Sequence, residues 1–192
     1  MTQNEIEELK KNIFSDDNDV VISSADKLGK IGGAEVTDFL ISLLSSESAR
    51  IRHCAALALV DIGDNRSVDP LLTAIFKKEN KNYTGTLVYA LSELDCTEKL
   101  LEVFTILFYE DYHCKWIAFG ILDQKTFEFS KEDLYKIEIM WEDCKAHPEK
   151  CPDYEKTKDD IEYMVNNYLS YIKPELLDKI DPNYKVKFVG YS

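Results

Sequence analysis

No apolar run in this chain approaches the roughly 18 residues that a membrane-spanning helix needs. The opening segment, MTQNEIEELKKN, carries no apolar signal. Cysteine is sparse and odd in number, at five, which argues against a disulfide framework and for free thiols in a reducing cytoplasm. The sequon Asn82-Tyr83-Thr84 therefore has little expected use. Basic residues are also few, 23 Lys and Arg against 36 Asp and Glu, for a formal charge of −13. A phosphate-binding surface needs clustered cations, so nucleic acid and anionic membrane are not expected partners. A basic protein or peptide segment is, with solubility as the plainer reason for the charge. Four signatures are missing: a phosphate-binding glycine loop, a dinucleotide fingerprint, a serine-nucleophile elbow and a His-Glu-x-x-His pair. The expectation is a non-enzymatic protein without a cofactor.

What the chain does contain is a repeat. Ala56, Leu59, Ile62 and Gly63 are matched 31 residues earlier by Ala25, Leu28, Ile31 and Gly32, and 32 residues later by Val88, Leu91, Leu94 and Asp95. A fourth copy reads as Trp116, Phe119, Leu122 and Asp123, 28 residues further on. A second set, Phe39, Leu40, Leu43 and Leu44, recurs as Leu71, Leu72, Ile75 and Phe76, and again as Val103, Phe104, Leu107 and Phe108. Both sets place apolar residues at i, i+3 and i+4, the signature of an amphipathic helix. Polar turns (GGAE, GDNRS, DCTE) separate them, and Pro70 falls in a helix's first turn, where proline is tolerated. The unit is a helix–turn–helix of about 30 residues that cannot bury its apolar face alone, which predicts an all-α solenoid of stacked helix pairs.

Arg52, Ala55, Ala56, Leu59, Ile62, Gly63, Asp64, Pro70, Leu71 and Leu72 together resemble a HEAT repeat, especially the short bacterial kind of phycobilisome lyases. The resemblance covers about residues 5–123 and implies a right-handed solenoid of about four units. It also implies that the second helices line a concave face. Thr2 and Glu5 have capping-box spacing ahead of Ile6, Leu9, Ile13 and Phe14, an initial half-repeat. Residues 124–192 read as a divergent helical cap, the whole chain forming one domain. Within the cap, Ser130 and Asp133 should cap a helix bearing Leu134, Ile137, Met140 and Trp141, and Ile161 to Ile172 form an amphipathic helix ended by Pro174. Glu175–Ile180 is a short further helix, and the tail NYKVKFVGYS alternates like a strand.

Three groups of residues are candidates for chemistry or binding. Cys144, His147 and Cys151 put three metal-type ligands in eight residues, although C-x2-H-x3-C lacks a fourth ligand and a common structural-zinc spacing. His53-Cys54 and His113-Cys114 look like a split site, but in the repeat they fall at one position two units apart, about 20 Å by helix-packing distances, which favours core packing. Nine of the eleven tyrosines lie after residue 108. Aromatics among carboxylates are what a protein interface uses, apolar anchors plus steering charge. Asp38, Glu102, Tyr109, Tyr112, Tyr135, Glu138, Trp141 and Glu142 are the expected partner-binding residues of the concave face. The leading expectation is a module that binds a basic protein, by analogy a toxin-neutralising immunity protein. The alternatives are a bilin lyase or chaperone, which the resemblance implies, and a metal-binding role for Cys144, His147 and Cys151. A HEAT-like DNA glycosylase is disfavoured by charge.

Overall fold

The computed structural model describes residues 2–180, so the expected strand-like tail lies outside the described residues. The described residues are all-α, without a strand, and their helices pack in HEAT-like solenoid fashion as pairs within each unit, with divergent helices toward the C-terminal side. It gathers into two compact units, Met1–Asp95 and Cys96–Ser192.

The first unit holds α1 (Gln3–Asn12), α2 (Asn18–Ile31), α3 (Ala34–Leu43), α4 (Ala49–Ile62), α5 (Val68–Ile75) and α6 (Gly85–Glu93). In one layer α4 packs against both α2 and α6. In the other, α1 leans on α2, α3 on α4 and α5 on α6, so each second helix supports the first helix of the following repeat. This explains why α1 stands alone as a half-repeat. The helix starts are written in polar caps: Thr2 and Glu5 complete a reciprocal capping box, Asp17 accepts from the Asp19 and Val20 amides, and Ser48 accepts from the Ile51 amide. Gly63 ends α4 in the left-handed conformation at φ 70°, which a side chain would strain. Gly29 has another purpose. A Cβ there would lie 3.0 Å from the Ala58 carbonyl oxygen and 3.1 Å from the Ala58 Cα, so its absence lets α2 and α4 approach closely. The repeated apolar positions are the core: Ala25, Leu28, Leu40, Ala56, Leu59, Leu71, Val88 and Leu91 are all buried. Each fully buried Leu stabilises the fold by about 1.5–3 kcal/mol.

The second unit contains α7 (Leu100–Tyr109), α8 (Tyr112–Gln124), α9 (Lys131–Ala146) and α10 (Tyr154–Leu169). α7 packs against α8 and α9, and α10 against α8 and α9. The expected change from repeat to cap at residue 124 thus falls inside this unit. Asp111 caps α8 by accepting from the Cys114 amide, and Ser130 and Asp133 form the expected capping box on α9. α10 ends at Leu169, before Ile172, and Pro174–Lys179 is a 3-10 turn packed back on α10.

The fourth repeat sits in a different register from the one its apolar spacing suggests. α4 begins after Ser48 and α8 after Asp111, an offset of 63 residues where the apolar pattern gives 60. Trp116 therefore falls outside the core, 43% exposed and ring-stacked on His113 at 6.4 Å, while Phe119 and Leu122 are buried. His113-Cys114 then aligns with Arg50-Ile51 and not with His53-Cys54. The two pairs are unrelated: exposed His53 contacts the Thr86 hydroxyl at 2.6 Å, and Cys54 and Cys114 are buried.

Candidate interaction surface and a buried thiol cluster

The residues expected to bind a partner separate into exposed and internal groups. In the first unit Asp38 is exposed on α3 and pairs with Arg66, whose Nη1 lies 2.9 Å from its carboxylate; Arg66 also binds Asp64. In the second unit Glu102 and Tyr112 are partly exposed on α7 and α8. Tyr135, at 50% exposure, lies one helical turn before Ile139, at 69%, on α9. Glu138 and Glu142 flank this apolar pair on the same helix. Glu138 forms an ion pair with Lys173 and Glu142 one of 2.6 Å with Lys145.

Trp141 belongs to the interior. It is 4% exposed, its ring stacked on Phe108 at 6.0 Å and tilted against Tyr154 at the same distance, with the Lys145 ammonium over it. The reason is helical geometry: Leu134, Ile137, Trp141 and Cys144 form the buried stripe of α9, and Tyr135 and Ile139 point elsewhere. Tyr109 is half-buried at the end of α7 with its hydroxyl turned to Cys144, and burial holds its phenol well above the usual range.

The metal-like motif is divided in the same way. Cys144, on the last turn of α9, and Cys151, after the 3-10 turn Pro148–Lys150, are both buried free thiols in contact with each other. His147 is exposed and turned away, its Nδ1 2.9 Å from Asp143. Lys150 also binds Asp143, at 3.1 Å, and holds its carboxyl below the usual range. Among the described residues no three His, Cys, Asp or Glu side chains gather where they could hold a metal ion.

Lys115 completes the thiol cluster. It is fully buried, and its Nζ donates to the carbonyls of Leu107 at 2.7 Å and Phe108 at 2.6 Å, two of the carbonyls that α7 cannot satisfy within itself. Burial pushes its pKa down to about 8, partly opposed by attraction to Cys151 and Cys144. Contact with the Cys144 thiol, aided by Lys115, holds Cys151 below the ordinary thiol range, and the same contact drives Cys144 far above it. The site is a buried dithiol beside an ammonium, with Cys151 the more acidic of the two thiols.

Lys115 has a counterpart in the first unit. Arg52, four residues past its N-cap as Lys115 is, lies buried and donates from Nη1 to the Ser46 and Glu47 carbonyls at 2.7 and 3.0 Å, tying down the connection between α3 and α4. In the third repeat Asn80 donates to the Ala74 carbonyl at 2.8 Å at the end of α5. The ends of α5 and α7 are thus each closed by a buried donor, and the connection after α3 is held by another. Nothing in the apolar pattern marks Lys115; the usable signal was its distance from the cap residue Asp111.

Packed helix pairs that recur with a period of about 30 residues and share a buried apolar seam define the class as a helical-repeat protein. The HEAT repeats family matches residues 6–111, more than half of the chain, and the protein belongs to it. No curated protein matches the chain. Among the described residues no helix is long and apolar enough to cross a membrane.

Proposed function

We propose that this HEAT-repeat protein is a non-enzymatic binding module for a basic protein segment. The observation that carries the reading is the exposed Tyr135–Ile139 pair on α9, flanked by Glu138 and Glu142 in a chain of net charge −13. Apolar anchors give affinity when they are desolvated, and surrounding carboxylates steer a cation-rich partner and reject anionic ones. Glu102 and Tyr112 of the second unit and Asp38 of the first are further candidate contacts. Trp141 acts as the support behind α9, and Tyr109 as part of the thiol cluster. The finer proposal is masking: a small acidic HEAT module in the cytoplasm that neutralises a basic toxin, such as a nuclease, as immunity proteins do. Size, charge and fold support it.

The test is recovery of bound proteins from the native cell on the tagged chain, identified by mass spectrometry. One basic protein that is toxic when expressed alone, and harmless with this chain, is the expected result. Absence of any protein partner, with a bilin or other small molecule recovered instead, would overturn the reading.

A further inference from the structure

Cys144 and Cys151 are not explained by core packing alone. These two buried thiols are brought together by a chain reversal of seven residues. The reversal is built from the α9 C-cap at His147 and the 3-10 turn Pro148–Lys150, with the Cys151 amide donating to the Pro148 carbonyl at 3.0 Å. Its outer residues, His147 to Lys150, are exposed, and the side chains of His147 and Lys150 tie to the rest of the fold through surface pairs to Asp143. Such pairs contribute little, so opening of this exposed turn is the route by which a reagent would reach the two sulfurs. Behind the sulfurs the Lys115 ammonium is fixed by two carbonyls, and the Tyr109 hydroxyl faces Cys144.

We propose that Cys144 and Cys151 form a reversible redox site, which a hydroperoxide closes into an intramolecular disulfide that staples α9 to the turn before α10. Cys151 is the attacking sulfur: it adjoins the exposed turn Pro148–Lys150, whereas Cys144 sits in the buried stripe of α9, and its thiol is the one held below the ordinary range. Its thiolate attacks one peroxide oxygen: an S–O bond forms, the O–O bond breaks, and the departing oxygen takes up a proton as water. The Cys144 sulfur then displaces hydroxide from the Cys151 sulfenic acid. The S–S bond forms, the S–O bond breaks, and the Cys144 proton leaves with the hydroxide as water. Two thiols and one hydrogen peroxide give one disulfide and two waters, two electrons passing from sulfur to oxygen. A dithiol reductant reverses the reaction by thiol–disulfide exchange.

The experiment treats the folded, fully reduced chain with a small excess of hydrogen peroxide at neutral pH, then counts thiols under denaturing conditions and maps the peptides. The expected result is a fall from five thiols to three. The mass should drop by two hydrogens, the Cys144 and Cys151 peptides should be linked, and dithiothreitol should restore all of these. Cys54→Ser should behave as the parent does; Cys144→Ser should lose the disulfide and stop at a Cys151 sulfenic acid trapped by dimedone. Five thiols surviving, a disulfide between other cysteines, or dimedone capture at Cys144 instead of Cys151 would each overturn the proposal. The parent chain's thiol count and peptide map decide it even where a variant folds poorly.

Discussion

Replacing Lys115 by Met should produce a loss of stability that grows as the pH rises. The substitution keeps the buried stem and removes the nitrogen that serves the Leu107 and Phe108 carbonyls. Two buried carbonyls without a donor cost about 1–3 kcal/mol each, or about 4 kcal/mol together at mid-range. Against this, the native lysine carries a burden of its own at neutral pH. Its pKa falls from 10.5 to about 8 on folding, so keeping the ammonium charged inside the protein costs about 3 kcal/mol. The net loss in Lys115→Met is then only about 1 kcal/mol at pH 7. The native state gives up its proton first, so the lysine's stabilising contribution is fully present above pH 10.5 and is lost as the pH falls through 8. The difference between parent and variant should therefore widen to about 4 kcal/mol near pH 10.5. Urea unfolding followed by circular dichroism, under reductant at pH 7, 9 and 10, measures it. A parent–variant difference that stays constant over that range would refute the reasoning, as would a variant more stable than the parent at pH 10.

Other outcomes follow from the same contacts. Arg52→Met should destabilise the protein by about 2–4 kcal/mol in urea unfolding at pH 7, because the Ser46 and Glu47 carbonyls lose a charged donor. Gly29→Ala should cost about 1–3 kcal/mol despite the better helix propensity of alanine, because the new Cβ meets backbone of α4; a gain in thermal midpoint would contradict this. Trp141→Ala should cost about 3–5 kcal/mol of stability, whereas Tyr135→Ala should leave stability within about 0.5 kcal/mol and weaken partner binding by about tenfold or more.

The repeat and its buried positions were legible because a solenoid writes its core at a fixed period: Leu28, Leu59 and Leu91 stand 31 and 32 residues apart and are all buried. Capping boxes at Thr2–Glu5 and Ser130–Asp133 were legible because caps are local chemistry. Register in the fourth repeat was not. Apolar spacing alone put Trp116 in the core, and only the N-cap Asp111 fixes the rotation of α8. Three residues of offset turn a helix by about 300°, a net rotation of about 60°, enough to carry a position from the middle of the buried face to its edge. The same problem made Trp141 read as a surface anchor: an aromatic among carboxylates on α9 looks alike on either face until the buried stripe is known. In the motif Cys144–His147–Cys151 the spacing was visible, but the direction of His147 depends on where α9 ends. A buried lysine at position 115 contradicts its type, and it becomes intelligible only once the carbonyl ends of α7 lie beside it.

The most direct test of the central claim is the affinity of the chain for its recovered protein partner, measured by calorimetry at 50 and 300 mM salt for the parent and for Tyr135→Ala. A basic-segment binder predicts a Kd that rises steeply with salt, and a weaker Kd at both salts when Tyr135 is truncated. A Kd unchanged by salt and by the loss of Tyr135 would contradict the account.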